Sequence, residues 1–282
     1  MVQAFTLENA HLRMRVDPHG GAIEQLFSTR FSLPVLQAPD NQPSLFPMLP
    51  LANRVAGNRF LLQGREVALP QSPRDATFYL HGDGWFKQWQ VTSRSATGCV
   101  LQLRSVDPCG FNYLAQLHYQ LLDNALHASL TLTHCGPEPM LYGLGFHPWF
   151  FFETGNSVQF SASGYWPEGE NHLPLAWQGK LPAHASFHAP QFGRDAWLNV
   201  CYSGWSGRAH LRNNEMKITL SSQTPWLMLF RMSGQPFLCL EPQSHPVNAH
   251  HMPGQPGLVM LSQGDKTHFS MTIRVNSSAE KC

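Results

Sequence analysis

The chain has 282 residues, 43% of them hydrophobic, which is enough to bury a sizeable core in one large domain or two medium ones. Its 19 basic and 18 acidic residues give a formal net charge of +1, and charged residues make up only 13% of the chain. This composition excludes the strongly basic surface by which proteins bind nucleic acids or anionic membranes, and it favours a neutral small molecule as the ligand.

No segment of the sequence indicates export or a transmembrane helix. Residues 1–8 lack the basic start and apolar core of a signal peptide, and no uninterrupted apolar run reaches ~18 residues. The six cysteines contain no C-x-x-C pair, so they offer neither a zinc knuckle nor a redox motif. We therefore expect a cytoplasmic protein with no membrane partner. We expect it to be a monomer or a homodimer.

Along the chain, runs that alternate apolar and polar residues are separated by turn residues, among them 22 glycines and 22 prolines. Such runs are typical of half-buried strands, whereas no long window shows the 3.6-residue apolar stripe of a helix. The predicted strands are 12–16, 99–104, 115–121, 125–133, 216–220, 226–230 and 268–275. Residues 120–125 predict the turn of a hairpin. The sequence thus predicts an all-β sandwich or barrel.

No linker, internal repeat or low-complexity tract divides the chain, so we expect a single domain over residues 1–282. The longest candidate loop is 171–192, which is rich in proline, alanine, histidine and glutamine. It is either a surface excursion or a lid, and the sequence does not choose between them.

Two early segments carry candidate binding residues. Arg54 lies among small and apolar residues, so it is a better candidate for burial than Arg59. A buried guanidinium needs a partner, which is either an internal acid or an oxygen-rich ligand. His81 precedes a glycine that lets backbone approach a ligand closely, although a lone histidine in a turn is more often a surface or packing residue.

The segment Gly143–Phe150 places His147 between small residues and a proline, with aromatic residues on both sides. A histidine titrates near neutral pH, and the aromatic residues could enclose it in a rigid apolar wall. A matching carboxylate, Glu241, ends the apolar run 237–240 and is also followed by proline. An acid and a base at the ends of two strand-like segments are what a proton transfer at two atoms requires.

The sequence gives little support for a metal site or for other known catalytic and nucleotide-binding motifs. Fifteen histidines invite a metal site, but His250 and His251 are adjacent and would point opposite ways in a strand. The chain has no H-E-x-x-H motif, nucleophile elbow, P-loop or Rossmann glycine fingerprint. We expect no metal and no organic cofactor.

Four segments, in this order, resemble the motifs of the aldose 1-epimerase (mutarotase) family. They are Asn53-Arg54, Leu80-His81-Gly82, Gly145–Phe150 and Cys239-Leu240-Glu241-Pro242. The match is best to the bacterial branch, whose motifs read roughly P-x-A-N-R-V-x-G-x-R-F, L-H-G-D-G-W and C-L-E-P-x-S-H, and it runs from about residue 20 to about residue 275. The resemblance implies a large antiparallel β-sandwich, the galactose mutarotase-like supersandwich, that interconverts sugar anomers without a cofactor.

The resemblance also implies roles for the residues. Glu241 would be the base that takes the proton of the anomeric hydroxyl, and His147 the acid that protonates the ring oxygen. His81 would donate a hydrogen bond on the ring-oxygen side. Arg54, with its neighbour Asn53, would orient sugar hydroxyls.

Three further observations concern the sugar itself. Trp85 and Trp149 are candidate walls for the apolar face of the ring, an inference from residue type alone. Asn199 stands where many family members carry an aspartate, and an amide both donates and accepts but has no charge. The arginine and glycine arrangement of the branch that acts on hexose 6-phosphates is not seen, which favours a free or otherwise modified sugar.

Two other functions remain open at this point. The same fold could bind or sense carbohydrates without catalysis, since a fold does not determine a function. A glycoside hydrolase or lyase would need a second carboxylate near Glu241, and the candidates are Asp83 and Asp195.

Overall fold

Alternating side chains and frequent turn residues give this chain a structure built from strands. The computed structural model describes residues 3–39, 42–193 and 196–279. In chain order the strands are β1 Phe5–Glu8, β2 Leu12–Asp17, β3 Ala22–Ser28, β4 Leu33–Leu36, β5 Pro47–Met48, β6 Arg59–Leu62, β7 Arg65–Ala68, β8 Gln90–Arg94, β9 Gly98–Val106, β10 Asn112–Leu122, β11 Ala125–His134, β12 Met140–Tyr142, β13 Gly145–Phe146, β14 Trp149–Phe151, β15 Ser157–Phe160, β16 Gly164–Trp166, β17 Gln191–Phe192, β18 Leu198–Ser203, β19 Arg208–Arg212, β20 Met216–Ser222, β21 Trp226–Arg231, β22 Phe237–Gln243, β23 Val259–Leu261 and β24 Lys266–Ser277.

Helical structure within these ranges is limited to three single turns of 3₁₀ helix, at Ala56–Asn58, Glu170–His172 and Ala249–His251. The first two contain a residue with positive φ, and the third directly follows one, so the helical backbone is interrupted at or beside each turn. In the part of the chain that the structure describes, none of these helices has the length and apolarity needed to cross a bilayer.

Two large antiparallel sheets make up most of the molecule. The first has the order β1-β2-β3-β4-β14-β22-β21-β18-β16, with β13 and β5 paired alongside β22, and the second has the order β17-β15-β19-β20-β24-β11-β10-β9-β8. One cluster of buried apolar side chains draws on both sheets. The all-β prediction and the antiparallel β-sandwich are therefore confirmed.

The predicted strands correspond to β2, β9, β10, β11, β20, β21 and β24, each lengthened by one to several residues. The predicted hairpin is also present, because Leu122 pairs with Ala125 across a turn in which Asp123 has φ 50°. Strand β22 differs from the prediction at its end. It continues through Pro242 to Gln243, so Glu241 lies inside a strand and not at its terminus.

The central strands of the first sheet are buried on both faces. All seven residues of β22 are buried, and alternation sends Leu238 and Leu240 into the apolar cluster between the sheets. Cys239 and Glu241 must then point to the opposite, outer face. Neighbouring β21 and β18 follow the same rule, so the outer face of this sheet carries the side chains that build the site.

Candidate active site

All eight residues predicted for the site line one cavity of about 300 Å³. The cavity lies over the outer face of the first sheet, where strands supply its floor and loops supply one wall. The eight residues are Asn53, Arg54, His81, Trp85, His147, Trp149, Asn199 and Glu241.

The floor is a row of side chains in register across four strands. Trp149 of β14 pairs with Cys239 of β22, which pairs with Phe230 of β21, which in turn pairs with Asn199 of β18. Residues opposite one another in a sheet project from the same face, so these four share the outer face. Glu241 lies two residues from Cys239 and therefore projects from that face as well.

The loop wall depends on a close approach of backbone at Gly82. The glycine has φ 70°, and a Cβ built there would lie 2.1 Å from the carbonyl oxygen of Leu49. Only glycine fits such a position. This contact holds the preceding His81 over the cavity, where its backbone N–H donates to the carbonyl oxygen of Asn53 at 3.0 Å.

His147 lies between two parallel aromatic rings. The Phe46 ring is 4.7 Å from the imidazole and the Trp149 ring is 5.2 Å from it, both at small interplanar angles. Trp85 stacks on the other face of Phe46 at 5.0 Å. The aromatic wall expected from the sequence is thus present, with Phe46 as an added member.

His147 and Glu241 are in direct contact, with 3.1 Å between Nε2 and Oε1. Both side chains are almost fully buried. Burial raises the pKa of Glu241 to about 8, although the nearby Arg54 guanidinium lowers it in part. Burial, together with a smaller contribution from the Arg54 charge, lowers the pKa of His147 to about 3. At neutral pH the pair therefore holds one proton, and desolvation places it on Glu241.

The tautomer of His81 follows from its surroundings. The backbone N–H of Asn53 donates to Nδ1 of His81 at 3.1 Å, so Nδ1 is the acceptor and Nε2 carries the proton. Burial and the neighbouring His147 and Arg54 hold the pKa of His81 well below its usual range. This residue is a neutral hydrogen-bond donor with a fixed orientation.

Arg54 is the partly buried arginine of its segment, whereas Arg59 is exposed and lies 3.7 Å from Glu66. One guanidinium nitrogen of Arg54 donates to Oδ1 of Asn53 at 3.2 Å. Burial lowers the pKa of this guanidinium, while the charges of Asp75, Glu241 and Glu168 raise it. An arginine stays protonated at any physiological pH, so Arg54 brings a positive charge to the wall of the cavity.

Several buried polar atoms of cavity residues have no hydrogen-bond partner within the described protein. They are Arg54 Nε, His147 Nδ1, Trp149 Nε1 and Glu241 Oε2. Buried polar groups are satisfied in the great majority of cases, so exceptions require a reason. Their concentration around one cavity fits a ligand that is rich in hydroxyl groups.

His245, the histidine of the C-L-E-P-x-S-H motif, has a structural role. The backbone N–H of Ala52 donates to Nε2 of His245 at 3.1 Å, and Nδ1 of His245 donates to the carbonyl oxygen of Pro246 at 2.8 Å. Burial lowers the pKa of His245 to about 4. This neutral ring ties the end of β22 to the loop that carries Asn53 and Arg54.

The structure brings together candidate metal ligands other than the histidines that the sequence analysis considered. Within the described ranges, His147, Cys239 and Glu241 offer ligand atoms within 4.8 Å of one another. His250, which the sequence suggested, is instead buried against the Phe60 ring at 4.6 Å. The three atoms belong to the His147–Glu241 pair and to the neighbouring Cys239, so a cation bound there would fill part of the cavity.

Asp83 does not supply a second carboxylate to the cavity. Its carboxylate accepts hydrogen bonds from Ser105 at 2.6 Å and from Tyr113, and it pairs with Lys87 at 2.6 Å. These contacts hold the loop that follows His81. The other candidate for a hydrolase, Asp195, lies outside the described residues.

Several contributors to the site were not predicted. Phe46, His172, Trp197 and Phe230 are among the further residues that line the cavity, and Glu168 lies behind Asn199. Phe230 could have been found from the register of β21 with β22, since it pairs with Cys239. His172 belongs to the predicted long loop 171–192, so this loop contributes to the cavity at its first turn.

The fold and site together define a class: an all-β sandwich with a buried histidine–glutamate pair in a polar, aromatic-walled cavity. The sequence model of the aldose 1-epimerase family matches residues 3–274. The chain therefore belongs to the aldose 1-epimerase family.

Individual relatives agree with this assignment. The uncharacterized protein YphB of Escherichia coli (strain K12) is 32% identical over 287 residues, covering 96% of this chain and 98% of YphB. The crystal structure of an Escherichia coli K12 protein proposed to be an aldose 1-epimerase is similar with a TM-score of 0.92 at 32% identity, covering 98% of this chain and 99% of that one. Galactose 1-epimerase from Lactobacillus acidophilus NCFM shares the fold, with a TM-score of 0.80 at 18% identity over 97% of this chain and 94% of that one.

Proposed function

We propose that this protein is a cofactor-independent aldose 1-epimerase that interconverts the α and β anomers of a free or modified aldose. The observation that carries the proposal is the buried contact of 3.1 Å between His147 and Glu241 in a cavity of hexose size. The two oxygens that must exchange protons in this reaction, the anomeric hydroxyl and the ring oxygen, are bonded to one carbon. An acid and a base in contact with each other can reach both.

The reaction balances with these two groups alone. Glu241 takes the proton of the anomeric hydroxyl, the bond from C1 to the ring oxygen breaks, and C1 becomes an aldehyde. His147 gives its proton to the ring oxygen. Rotation about the C1–C2 bond presents the other face of the aldehyde, and the same transfers in reverse close the ring. The pair ends with the single proton with which it began.

The free protein holds that proton on Glu241, so the proposed roles require it to move to His147 when the sugar binds. Desolvation favours the neutral pair, whereas Arg54 favours the carboxylate form of Glu241. An anomeric hydroxyl that donates to Glu241 also favours the carboxylate. The transfer runs along an existing contact of 3.1 Å and needs no further group.

The other cavity residues orient the sugar. His81 presents Nε2–H as a donor to the developing charge at the ring oxygen. Arg54 and Asn53 bind hydroxyls at the loop side, and the Trp85 and Trp149 rings cover apolar faces of the sugar.

The test is anomer exchange measured by NMR over a panel of neutral, acidic, sulfonated and phosphorylated sugars. We expect acceleration of at least one sugar, and a loss of about 10²-fold or more in Glu241→Gln and in His147→Asn. The controls are Glu138→Gln and His184→Asn, which make the same changes at exposed positions outside the cavity. All four variants are checked for folding by circular dichroism.

Full exchange in either cavity variant would show that the roles are wrong. Sugar binding without acceleration by the wild-type protein would instead favour the non-catalytic carbohydrate-binding protein.

A further inference from the structure

The side of the cavity opposite the acid–base pair is built around Asn199. This residue is two strands away from Glu241 across the floor and two residues further along in register. Strands lie ~4.8 Å apart and rise ~3.4 Å per residue, so the two side chains start about 12 Å from each other. A hexose placed with its anomeric carbon at Glu241 extends toward Asn199. The residue at position 199 therefore contacts hydroxyls remote from the reacting carbon.

A carboxylate from the segment that follows β16 lies directly behind this amide. Glu168 follows β16 by two residues, and it accepts a hydrogen bond from Nδ2 of Asn199 at 2.6 Å. It also accepts from Nε1 of Trp197 at 2.6 Å and from Nδ1 of His172 at 2.5 Å. Partial burial raises the pKa of Glu168, but these three hydrogen bonds outweigh it and hold the pKa below its usual range.

These contacts determine which way the amide points. Glu168 accepts only hydrogen bonds when ionised, so the NH₂ group of Asn199 faces it and the carbonyl oxygen is left for the cavity. An amide carbonyl accepts a hydrogen bond from a sugar hydroxyl as a carboxylate oxygen does. The negative charge that an aspartate would place at position 199 is supplied instead by Glu168, one hydrogen bond further away.

We infer that Glu168 is a positioning residue that orients Asn199 to accept a hydrogen bond from a sugar hydroxyl, and that positions 168 and 199 together tolerate one carboxylate. The inference rests on the proposed function for the identity of the ligand. It predicts that the two residues are energetically coupled and that the carboxylate can be exchanged between them.

The test is a double-mutant cycle with Asn199→Asp, Glu168→Gln and the combined variant. In Asn199→Asp two carboxylates would meet at 2.6 Å, so we expect the KM for the best sugar of the panel to rise about tenfold or more. Glu168→Gln removes the charged acceptor, and we expect a KM increase of several-fold. In the combined variant the glutamine amide donates to the new aspartate, and KM should return to within about threefold of the wild-type value.

Comparison of the effects on KM and on kcat separates a positioning role from damage to the fold. The acid–base pair is untouched in all three variants, so kcat should change by less than about threefold. Dissociation constants from quenching of tryptophan fluorescence should follow KM, since Trp149 and Trp197 line the cavity. Thermal unfolding of each variant is measured alongside.

The inference is overturned if the combined variant binds no better than Asn199→Asp, or if the effects of the single changes simply add. It is also overturned if the wild-type protein binds no sugar of the panel. Binding with the expected coupling but no acceleration of anomer exchange would support the inference and contradict the proposed enzymatic function.

Discussion

At the scale of single residues, the unusual feature is the depth at which the proposed acid and base are buried. His147 is enclosed by Phe46 and Trp149, and Glu241 lies within a strand whose residues are all buried. Desolvation penalises the charged form of each group, so the pair keeps one proton over a wide pH range. A pair with one proton contains both a donor and an acceptor.

This reasoning predicts the pH profile of kcat/KM, which reports the free protein. The one-proton pair persists from about 3, the pKa of His147, to about 8, the pKa of Glu241. The rate should therefore be level through neutral pH and fall above about pH 8, where the pair loses its proton. Exchange NMR from about pH 4 to about pH 10, with the uncatalysed rate subtracted, measures the profile. A rate that rose through pH 8 would mean that the deprotonated pair is the active form.

At the scale of elements, the wall of the cavity depends on the contact between the loop at Gly82 and the carbonyl oxygen of Leu49. Replacing Gly82 by alanine adds a Cβ at 2.1 Å from that oxygen, in a residue with positive φ. We expect a loss of about 2–4 kcal/mol in the free energy of unfolding and a large loss of activity, because His81 moves with the loop.

Gly64 is the matched control, since its φ is 81° but nothing lies within 4 Å of a Cβ built there. Gly64→Ala should cost about 1 kcal/mol, which is the backbone strain alone, and leave activity unchanged. Urea unfolding and exchange NMR measure both effects. Equal losses in the two variants would show that the close approach is unimportant.

The fold was largely accessible from the sequence at this same scale. Alternation located seven strands because one face of each is buried and the other is polar, as in β10 and β24. The pairing of those strands was not accessible, since it depends on contacts between distant parts of the chain. β22, with every residue buried, shows no alternation at all.

The site residues also divide into those that the sequence reveals and those that only the fold brings into place. His81, His147 and Glu241 lie in short motifs that a single sequence displays. Glu168 lies in no such motif, and it contacts Asn199 only because β16 pairs with β18. Sequence reasoning found the aspartate-to-asparagine difference but not the carboxylate that accompanies it.

At the scale of the whole molecule, the site imposes a cost on folding that depends on pH. Glu241 has an ordinary pKa of about 4.5 when the chain is unfolded and about 8 in the folded protein. Between these values the unfolded chain has lost a proton that the folded protein keeps. The unfolded state then binds fewer protons, so the free energy of unfolding decreases as pH rises through this window.

Glu241→Gln removes this titration and keeps the size of the side chain. We expect its free energy of unfolding to equal that of the wild type near pH 4 and to exceed it by on the order of 4 kcal/mol at about pH 8. Urea unfolding at several pH values measures the difference, in which the contributions of the other buried histidines largely cancel. Glu138→Gln, at an exposed position, should match the wild type throughout. If the difference in the free energy of unfolding between variant and wild type narrowed as the pH rose, burial could not be opposing the ionisation of Glu241.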